Sequence, residues 1–311
     1  MTSSRTLRRL AAVLFVLPLL AVAGCGGGFS SGGGGTVTIV GQKFTEADIM
    51  TQLYEQMLDH AGFKTDVKNL GTRDVYLKPL EKGDVQISAD YLSSMTDELT
   101  REASGENATS VASPDVHTTL NQLTKLGHKF GLTPLKPAKA SDQNAFAVTK
   151  KFAKQHHLKT LSDLGKLGKP VVVAANSDCK ARSDCAKGLE DVYGIKVKSV
   201  DPRGFDSPQS KQAVVNGQDQ VAEVSTTDAT VGGLGLVVLK DDKHWQHAEN
   251  LVPIVNSKWL KKNPKARSVL NKLSSVLTTS DLKAMNAQVD SQRMQAATVA
   301  KQYLKKKGLL G

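Results

Sequence analysis

Side chains capable of catalysis are present in the chain, but none of them occurs in a pattern typical of an enzyme. The sequence contains no G-x-S-x-G elbow, P-loop, H-E-x-x-H helix or G-x-G-x-x-G dinucleotide turn. Ser177 and Ser280 each precede a lysine at S-x-x-K spacing, without the S-D-N or K-T-G motifs that accompany it. His244 and His247 have no third His or Cys nearby, which favours a solvated surface over a metal site. We therefore expect no catalytic activity, no cofactor and no metal.

The N-terminus has the pattern of a bacterial lipoprotein signal. Three arginines precede an apolar stretch at residues 11–20, and small residues then lead to Cys25. We expect residues 1–24 to be a signal peptide, Cys25 to carry lipid, and residues 25–35 to be a flexible Gly/Ser tether. The alternative is a plain signal peptide followed by an incidental cysteine. The first interpretation places the protein outside the cytoplasm, anchored to the cell membrane as a lipoprotein.

Two further cysteines, Cys179 and Cys185, lie six positions apart. Export implies an oxidising compartment, where an even pair of cysteines at short separation favours a local disulfide. Metal binding and redox chemistry are weaker alternatives, because the spacing is not C-x-x-C and no histidine lies between them. We expect a Cys179–Cys185 disulfide.

Composition and charge exclude several classes of protein. The 311 residues carry a formal net charge of +11, with 40% hydrophobic and 23% charged residues, as in ordinary globular proteins of about two domains. The single apolar stretch near the N-terminus excludes a polytopic membrane protein. Basic residues concentrate in residues 258–311 without interleaved aromatics, which favours solvated helix faces over nucleic-acid binding. Attraction to an anionic membrane surface is the secondary interpretation.

The elements that must position any site begin with a β-α-β-α-β order. Residues 36–41 predict a strand, and Thr45 with Asp48 predicts an N-capping box for a helix that Gly62 ends. Residues 63–70 and 85–89 predict further strands, with a helix over 72–82 between them. This order favours parallel strands with helices on the faces of a sheet.

A second α/β unit follows the first. Strand patterns recur at residues 145–149, 170–174, 195–200 and 220–224, further apolar runs lie at 234–239 and 251–255, and the chain turns helical after Pro264. Two α/β units in one exported chain predict two lobes around a cleft, where pockets preferentially form. We expect one lobe over 36–141 and 236–311, the other over 142–235, and chain crossings near Ser141 and Gly235.

Several motifs resemble, in order, those of one family. They are Gly41-Gln42-Lys43-Phe44-Thr45-Glu46, GDVQISADYLSS at 83–94, LKTLSDL at 158–164, VAEVSTTD at 221–228, LVVLKDD at 236–242 and a helical C-terminus. Together they resemble the substrate-binding lipoproteins of osmoprotectant ABC importers, which take up glycine betaine, choline, carnitine and related amines. The resemblance runs from about residue 36 to residue 310.

The resemblance implies a fold and a function. The fold would be α/β, of the two-lobe periplasmic-binding-protein type that closes like a clam shell, with two hinge crossings. The protein would have no catalytic activity and would deliver its ligand to a membrane permease driven by a cytoplasmic ATPase. We expect a monomer that binds a small molecule and no nucleic acid.

The chemistry of such a ligand indicates which side chains could hold it. A quaternary ammonium has no hydrogen-bond donor and is held by aromatic faces, whereas a carboxylate needs cationic and hydroxyl donors. By resemblance of motifs, Tyr91 is the expected aromatic contact. Lys43, Ser94 and Arg182 are the expected contacts for a carboxylate.

Four further candidate positions make the expected site more polar than that of the family. Asp142 matches the family motif, but Asn144 and Ser225 stand where aromatic residues are common, and Glu249 lies near a third such place. Glu249 could pair directly with a cation. An amino acid or another polar amine is therefore an alternative ligand. A ligand-sensing lipoprotein without a transport role and an exported enzyme are alternative functions.

Overall fold

The computed structural model describes residues 35–105 and 108–310. The predicted signal peptide, the lipidation site at Cys25 and the tether up to residue 34 lie outside the described residues. Within the described residues the chain alternates strands and helices from one end to the other. The strands are β1 (Val37–Gly41), β2 (Thr65–Asn69), β3 (Ile87–Tyr91), β4 (Leu132–Pro134), β5 (Asn144–Thr149), β6 (Val171–Ala175), β7 (Val197–Pro202), β8 (Val221–Ser225), β9 (Leu236–Leu239) and β10 (Leu251–Asn256).

Helices connect these strands and form the C-terminal region. They are α1 (Thr45–His60), α2 (Arg73–Lys82), α3 (Leu92–Ser104), α4 (Val116–Lys129), α5 (Lys150–His156), α6 (Leu161–Leu167), α7 (Ala186–Tyr193), α8 (Pro208–Val215), α9 (Ser257–Lys262), α10 (Lys265–Val276), α11 (Thr279–Asp290) and α12 (Ala296–Lys306), with a short 3-10 turn at Ser177–Lys180. None of the helices in the described ranges combines the length and apolarity needed to cross a membrane.

The strands form two five-stranded sheets, one in each lobe. The first has the order β2-β1-β3-β10-β4 and the second the order β7-β6-β8-β5-β9. Strands β1, β2 and β3 are parallel, as are β6, β7 and β8, which agrees with the expected α/β alternation. The returning strands β10 and β5 run antiparallel to their neighbours, so both sheets are mixed. The two-lobed α/β fold predicted from the sequence is confirmed.

Each sheet is covered on both faces because successive strand residues point to opposite sides. In β1, Ile39 packs against α1 and the C-terminal helices, whereas Val40 packs against α2, α3 and α4. In β6, Val173 and Ala174 divide in the same way between two apolar clusters of the second lobe. The lobes therefore have separate cores, which allows them to move as bodies.

The start of α1 differs from the predicted capping box. Phe44 occupies the N-cap position without a side-chain cap. The hydroxyl of Thr45 instead donates to Asp290 Oδ1 at 2.6 Å, and the carboxylate of Asp48 accepts from Asn69. The prediction of a capping box was wrong, because the side chains of Thr45 and Asp48 make hydrogen bonds to residues outside the helix start.

The second chain crossing lies later than predicted. Leu236–Leu239 pairs antiparallel with β5, so this strand belongs to the second sheet and not to the first lobe. Trp245 also packs in the second lobe, with its ring 6.0 Å from that of Phe146. The chain returns to the first lobe at residues 247–250. The boundary expected near Gly235 was wrong, because an apolar run alone does not tell which sheet a strand joins.

The two crossings lie side by side and form the hinge. Ser141 pairs with Asn250 in an antiparallel bridge, and the Asp142 N–H donates to the Glu249 carbonyl at 3.0 Å. The strands on either side of Ser141, β4 and β5, belong to different sheets. Asp142 and Glu249, one on each crossing, are neighbours at the base of the cleft.

Candidate functional site

The principal cavity lies between the lobes and has a volume of about 740 Å³. Its walls come from the carboxyl ends of β3 and β8, the amino end of the antiparallel strand β5, the start of α1, the hinge crossings and the loops that precede α7 and α8. Strand ends meet at this edge of each sheet, which is where open α/β folds commonly bind ligands. The cleft is therefore the candidate ligand site.

The wall from the first lobe centres on Glu46. The Tyr91 hydroxyl donates to Glu46 Oε1 at 2.8 Å, and Asn286 Nδ2 donates to Glu46 Oε2 at 2.8 Å. Burial, and then the negative charge of Asp142, raise the pKa of Glu46 to about 7. Glu46 is thus a carboxylate that changes its charge near neutral pH.

A second carboxylate, Asp142, occupies the hinge. It accepts hydrogen bonds from the hydroxyls of Ser225 and Thr226, which hold it against the end of β8. Burial raises the pKa of Asp142 despite these donors. Its charge faces Glu46, so two carboxylates repel each other across the base of the cleft.

Glu249 is held on the opposite side of the hinge by the start of α3. The Ser94 hydroxyl donates to its Oε1 at 2.6 Å, and the Ser94 N–H donates to its Oε2 at 3.2 Å. Burial raises the pKa of Glu249 to about 7, and the nearby Arg73 opposes that rise. Arg73 itself makes an ion pair with the buried Asp90 at 2.7 Å.

The second lobe contributes Arg182, whose charge is already paired. Its Nε and Nη2 atoms bind the two oxygens of Asp184 at 2.8 and 2.7 Å, and Nη2 lies 3.2 Å from Glu223 Oε1. Asn144 Nδ2 donates to Asp184 at 2.9 Å and so fixes the same carboxylate. A ligand carboxylate would therefore compete with protein carboxylates for Arg182.

A disulfide holds the loop that carries Arg182. Cys179 and Cys185 are bonded in the structure, with their Cα atoms 5.2 Å apart. Both sulfurs lie close to Glu223, but a disulfide offers no thiolate ligands to a metal. The loop is a positioning element for Arg182 and Asp184.

Most of the candidate residues from the sequence meet in the cleft. Seven of them line it: Tyr91, Ser94, Asp142, Asn144, Arg182, Ser225 and Glu249. Lys43 does not: its side chain is exposed and lies outside the cleft lining, near Asp48. Residue 43 precedes α1, whereas Glu46 lies in the first turn of α1 and faces inward, towards Tyr91.

Glu46 and Asn286 line the cleft but were not among the candidate residues from the sequence. Glu46 lies within the motif at residues 41–46 that carries the family resemblance, so this motif could have indicated Glu46 as a site residue. Asn286 is distant in the chain, on α11, and no local pattern marks it. Phe44 and Phe205 line opposite lobes, whereas Trp245 is held in the second lobe, where its Nε1 donates to the Ser183 carbonyl at 2.9 Å.

The molecule has two lobes with separate cores, joined by two paired chain crossings, and side chains from both lobes line the cleft. These features define a two-lobed solute-binding protein. Solved structures agree with this class. Apo YehZ from Escherichia coli is 25% identical with a TM-score of 0.74, over 88% of this chain and 99% of that one. A glycine betaine/carnitine/choline ABC transporter structure is 26% identical with a TM-score of 0.73, over 88% and 100% of the two chains.

Sequence comparison gives the family. Residues 35–306 match OpuAC, the substrate binding domain of ABC-type glycine betaine transport systems, and the chain belongs to this family. The carnitine transport binding protein OpuCC of Listeria monocytogenes is 25% identical over 280 residues, 87% of this chain and 86% of that protein. A glycine-betaine-binding protein of Pseudomonas aeruginosa is 25% identical over 297 residues, 92% and 93% of the two chains. Members of this family bind solutes outside the cytoplasm for ABC importers.

Proposed function

We propose that this protein captures a small quaternary amine or zwitterionic osmoprotectant in the interlobe cleft and delivers it to a membrane permease of an ABC importer. The observation that carries the proposal is the cleft itself, where residues from both lobes converge on the hinge. Ligand contacts to both lobes would favour the closed form, which a permease can distinguish from the open form. The family membership and the relatives named for carnitine and glycine betaine support this assignment.

The proposal includes a lipid anchor at Cys25 and a monomeric receptor. Lipid on Cys25 and a Gly/Ser tether would keep the lobes beside the permease while leaving them free to rotate. Mass spectrometry of the N-terminal peptide from membranes of the native host tests the anchor. A mature peptide that starts elsewhere than Cys25 would contradict it.

A second candidate ligand, an amino acid or another polar amine, is favoured by the polar residues Asn144 and Ser225 in the cleft. A panel titration tests both, using isothermal calorimetry on the full chain in mild detergent. The panel contains glycine betaine, proline betaine, carnitine, choline, ectoine and the common amino acids. We expect at least one to bind. Failure of all of them, in a chain whose melting is cooperative, would favour a ligand-sensing lipoprotein over an importer component.

Tyr91 provides a direct test of the cleft. We expect Tyr91→Ala to weaken binding of the panel ligand by at least about tenfold, because it removes an aromatic face and the hydroxyl that binds Glu46. Tyr303→Ala is a matched control, since both tyrosines are 8% exposed in the same apolar cluster but Tyr303 lies outside the cleft. Equal dissociation constants for the two variants would remove Tyr91 from the site.

A further inference from the structure

We propose that Asp184 is an internal competitor for the carboxylate of a zwitterionic ligand. Its side chain occupies the donors that the carboxylate of such a ligand would bind, so the ligand must displace it. Asp184 therefore lowers the affinity of the cleft for zwitterions relative to its affinity for quaternary amines without a carboxylate. The inference rests on the proposed function, since it concerns how the same cleft selects among its ligands.

The donors around Asp184 have the arrangement that binds a carboxylate. Arg182 Nε and Nη2 donate to its two oxygens at 2.8 and 2.7 Å, which is the bidentate geometry of a guanidinium and a carboxylate. Asn144 Nδ2 adds a third hydrogen bond to the same group at 2.9 Å. All three residues line the cleft. A ligand carboxylate in the same position would meet a cation and an amide donor that are already oriented.

Asp184 can release these donors by a movement of its side chain alone. The side chain is 42% exposed, so its carboxylate can turn into solvent and does not become a buried, unpaired charge. The backbone around it is held separately. The Ser183 carbonyl accepts from Trp245 Nε1 at 2.9 Å, and the Asp184 carbonyl accepts from Gln246 Nε2 at 2.9 Å. The loop can therefore keep its position while the carboxylate is exchanged.

Arg182 keeps a partner when Asp184 leaves. Its Nη2 lies 3.2 Å from Oε1 of Glu223, which is fully buried on β8, and its Nη1 lies 3.7 Å from the exposed carboxylate of Asp178. Burial raises the pKa of Glu223 to about 7, so near neutral pH this group neutralises Arg182 only in part. A further carboxylate, from Asp184 or from the ligand, completes the neutralisation.

The other arginine of the cleft lining does not allow such an exchange. Arg73 donates to Asp90 through Nε at 3.0 Å and through Nη2 at 2.7 Å. Asp90 is fully buried on β3 and also accepts from the Tyr76 hydroxyl and the Tyr91 N–H. Separating Asp90 from Arg73 would leave a buried charge without its cationic partner, which is strongly unfavourable. Arg182 is therefore the arginine for which a ligand carboxylate can compete.

Glycine betaine and choline provide a matched test, because they share a trimethylammonium group and only glycine betaine has a carboxylate. Isothermal calorimetry on the full chain in mild detergent measures both. We expect Asp184→Asn, which keeps the shape of the side chain and removes its charge, to lower the dissociation constant for glycine betaine at least about tenfold. It should not lower the dissociation constant for choline. Asp184→Ala, which removes the carboxylate altogether, should have the same effect.

Three control variants separate competition for Arg182 from a general effect of charge. In an Arg182→Gln background, Asp184→Asn should no longer improve binding of glycine betaine, because the contested donors are absent. Asp290→Asn makes the same change in the cleft lining at a carboxylate that accepts from the Thr45 hydroxyl, and it should shift the ratio of the two dissociation constants much less. Glu190→Gln, at an exposed position on α7, should leave both constants unchanged.

The possible failures of the inference and of the proposed function can be distinguished. Binding of glycine betaine that stays the same, stays absent or weakens in Asp184→Asn would overturn the inference and leave the importer function standing. So would an equal gain for choline, or a gain that persists without Arg182. No binding of glycine betaine, choline or any other compound of the panel, to the parent or to the variants, would overturn the proposed function together with the inference.

Discussion

Glu46→Gln is expected to stabilise the ligand-free protein at pH 8 and, in the same molecule, to impair its capture of cations. Glu46 is buried, and burial together with Asp142 raises its pKa to about 7. Because the folded pKa exceeds the unfolded one, the stabilisation from this group is complete below about pH 4.5 and is lost as the pH rises through about 7. Ionised Glu46 therefore costs on the order of 3 kcal/mol at pH 8.

Glutamine removes this cost and can keep a hydrogen bond to each neighbour. Its amide oxygen can accept from Asn286 Nδ2, and its NH₂ can donate to the hydroxyl oxygen of Tyr91. We expect the melting temperature of the ligand-free variant to exceed that of the parent by several degrees at pH 8 and by much less at pH 5. Differential scanning calorimetry at the two pH values measures the difference.

The same substitution removes a charge that faces the ligand. We expect the affinity for the cations choline and ethanolamine to fall at least about tenfold at pH 8 and less at pH 6, where Glu46 is largely protonated in the parent. Glu190→Gln again serves as the control for loss of one surface charge. Unchanged cation affinity at pH 8, or a melting temperature that falls, would contradict the assignment of Glu46 as a buried ligand-facing carboxylate.

Some parts of the fold and of the candidate site could be predicted from the sequence, and others could not. Alternating apolar patterns and turn residues predicted both α/β units, because strand and helix periodicity is a local property. Tyr91, Asp142 and Glu249 were assigned to the site by the resemblance of motifs, and in the structure they line the cleft at a strand end or at the crossings between lobes. The sheet that Leu236–Leu239 joins could not be predicted, since apolar residues would be buried equally well in either lobe.

Lys43 and Glu46 show that the sequence of a motif does not predict which of its side chains faces the cleft. Both lie in the segment whose resemblance to the family was recognised, three positions apart. A cation is the ordinary partner for a ligand carboxylate, so Lys43 was the natural prediction. The start of α1 turns Glu46 towards Tyr91 and leaves Lys43 outside the cleft, which reverses the sign of the charge presented to the ligand. The direction of a side chain at a helix start depends on tertiary contacts that no local pattern contains.

Gly188→Ala is expected to destabilise the second lobe severely, although helix propensity predicts the opposite. Gly188 lies within α7, where alanine in place of glycine ordinarily stabilises by about 1 kcal/mol. A Cβ at this position would lie 2.1 Å from the Ser183 carbonyl oxygen and 2.1 Å from Trp245 Cζ2. Neither atom can move easily, because the Trp245 Nε1 is hydrogen-bonded to that same oxygen and its ring packs on Phe146.

The expected loss is about 3 kcal/mol, measured by chemical denaturation of the full chain. Gly232→Ala is the matched control, since no described residue beyond its two chain neighbours has an atom within 4 Å of its Cβ position, and it should leave stability nearly unchanged. Ser183 lies between Cys179 and Cys185, in the loop that presents Arg182 and Asp184 to the cleft. Displacing this loop should therefore also weaken ligand binding. A Gly188→Ala protein as stable as Gly232→Ala would show that α7 is not packed against this loop, and the positioning of Arg182 would need another explanation.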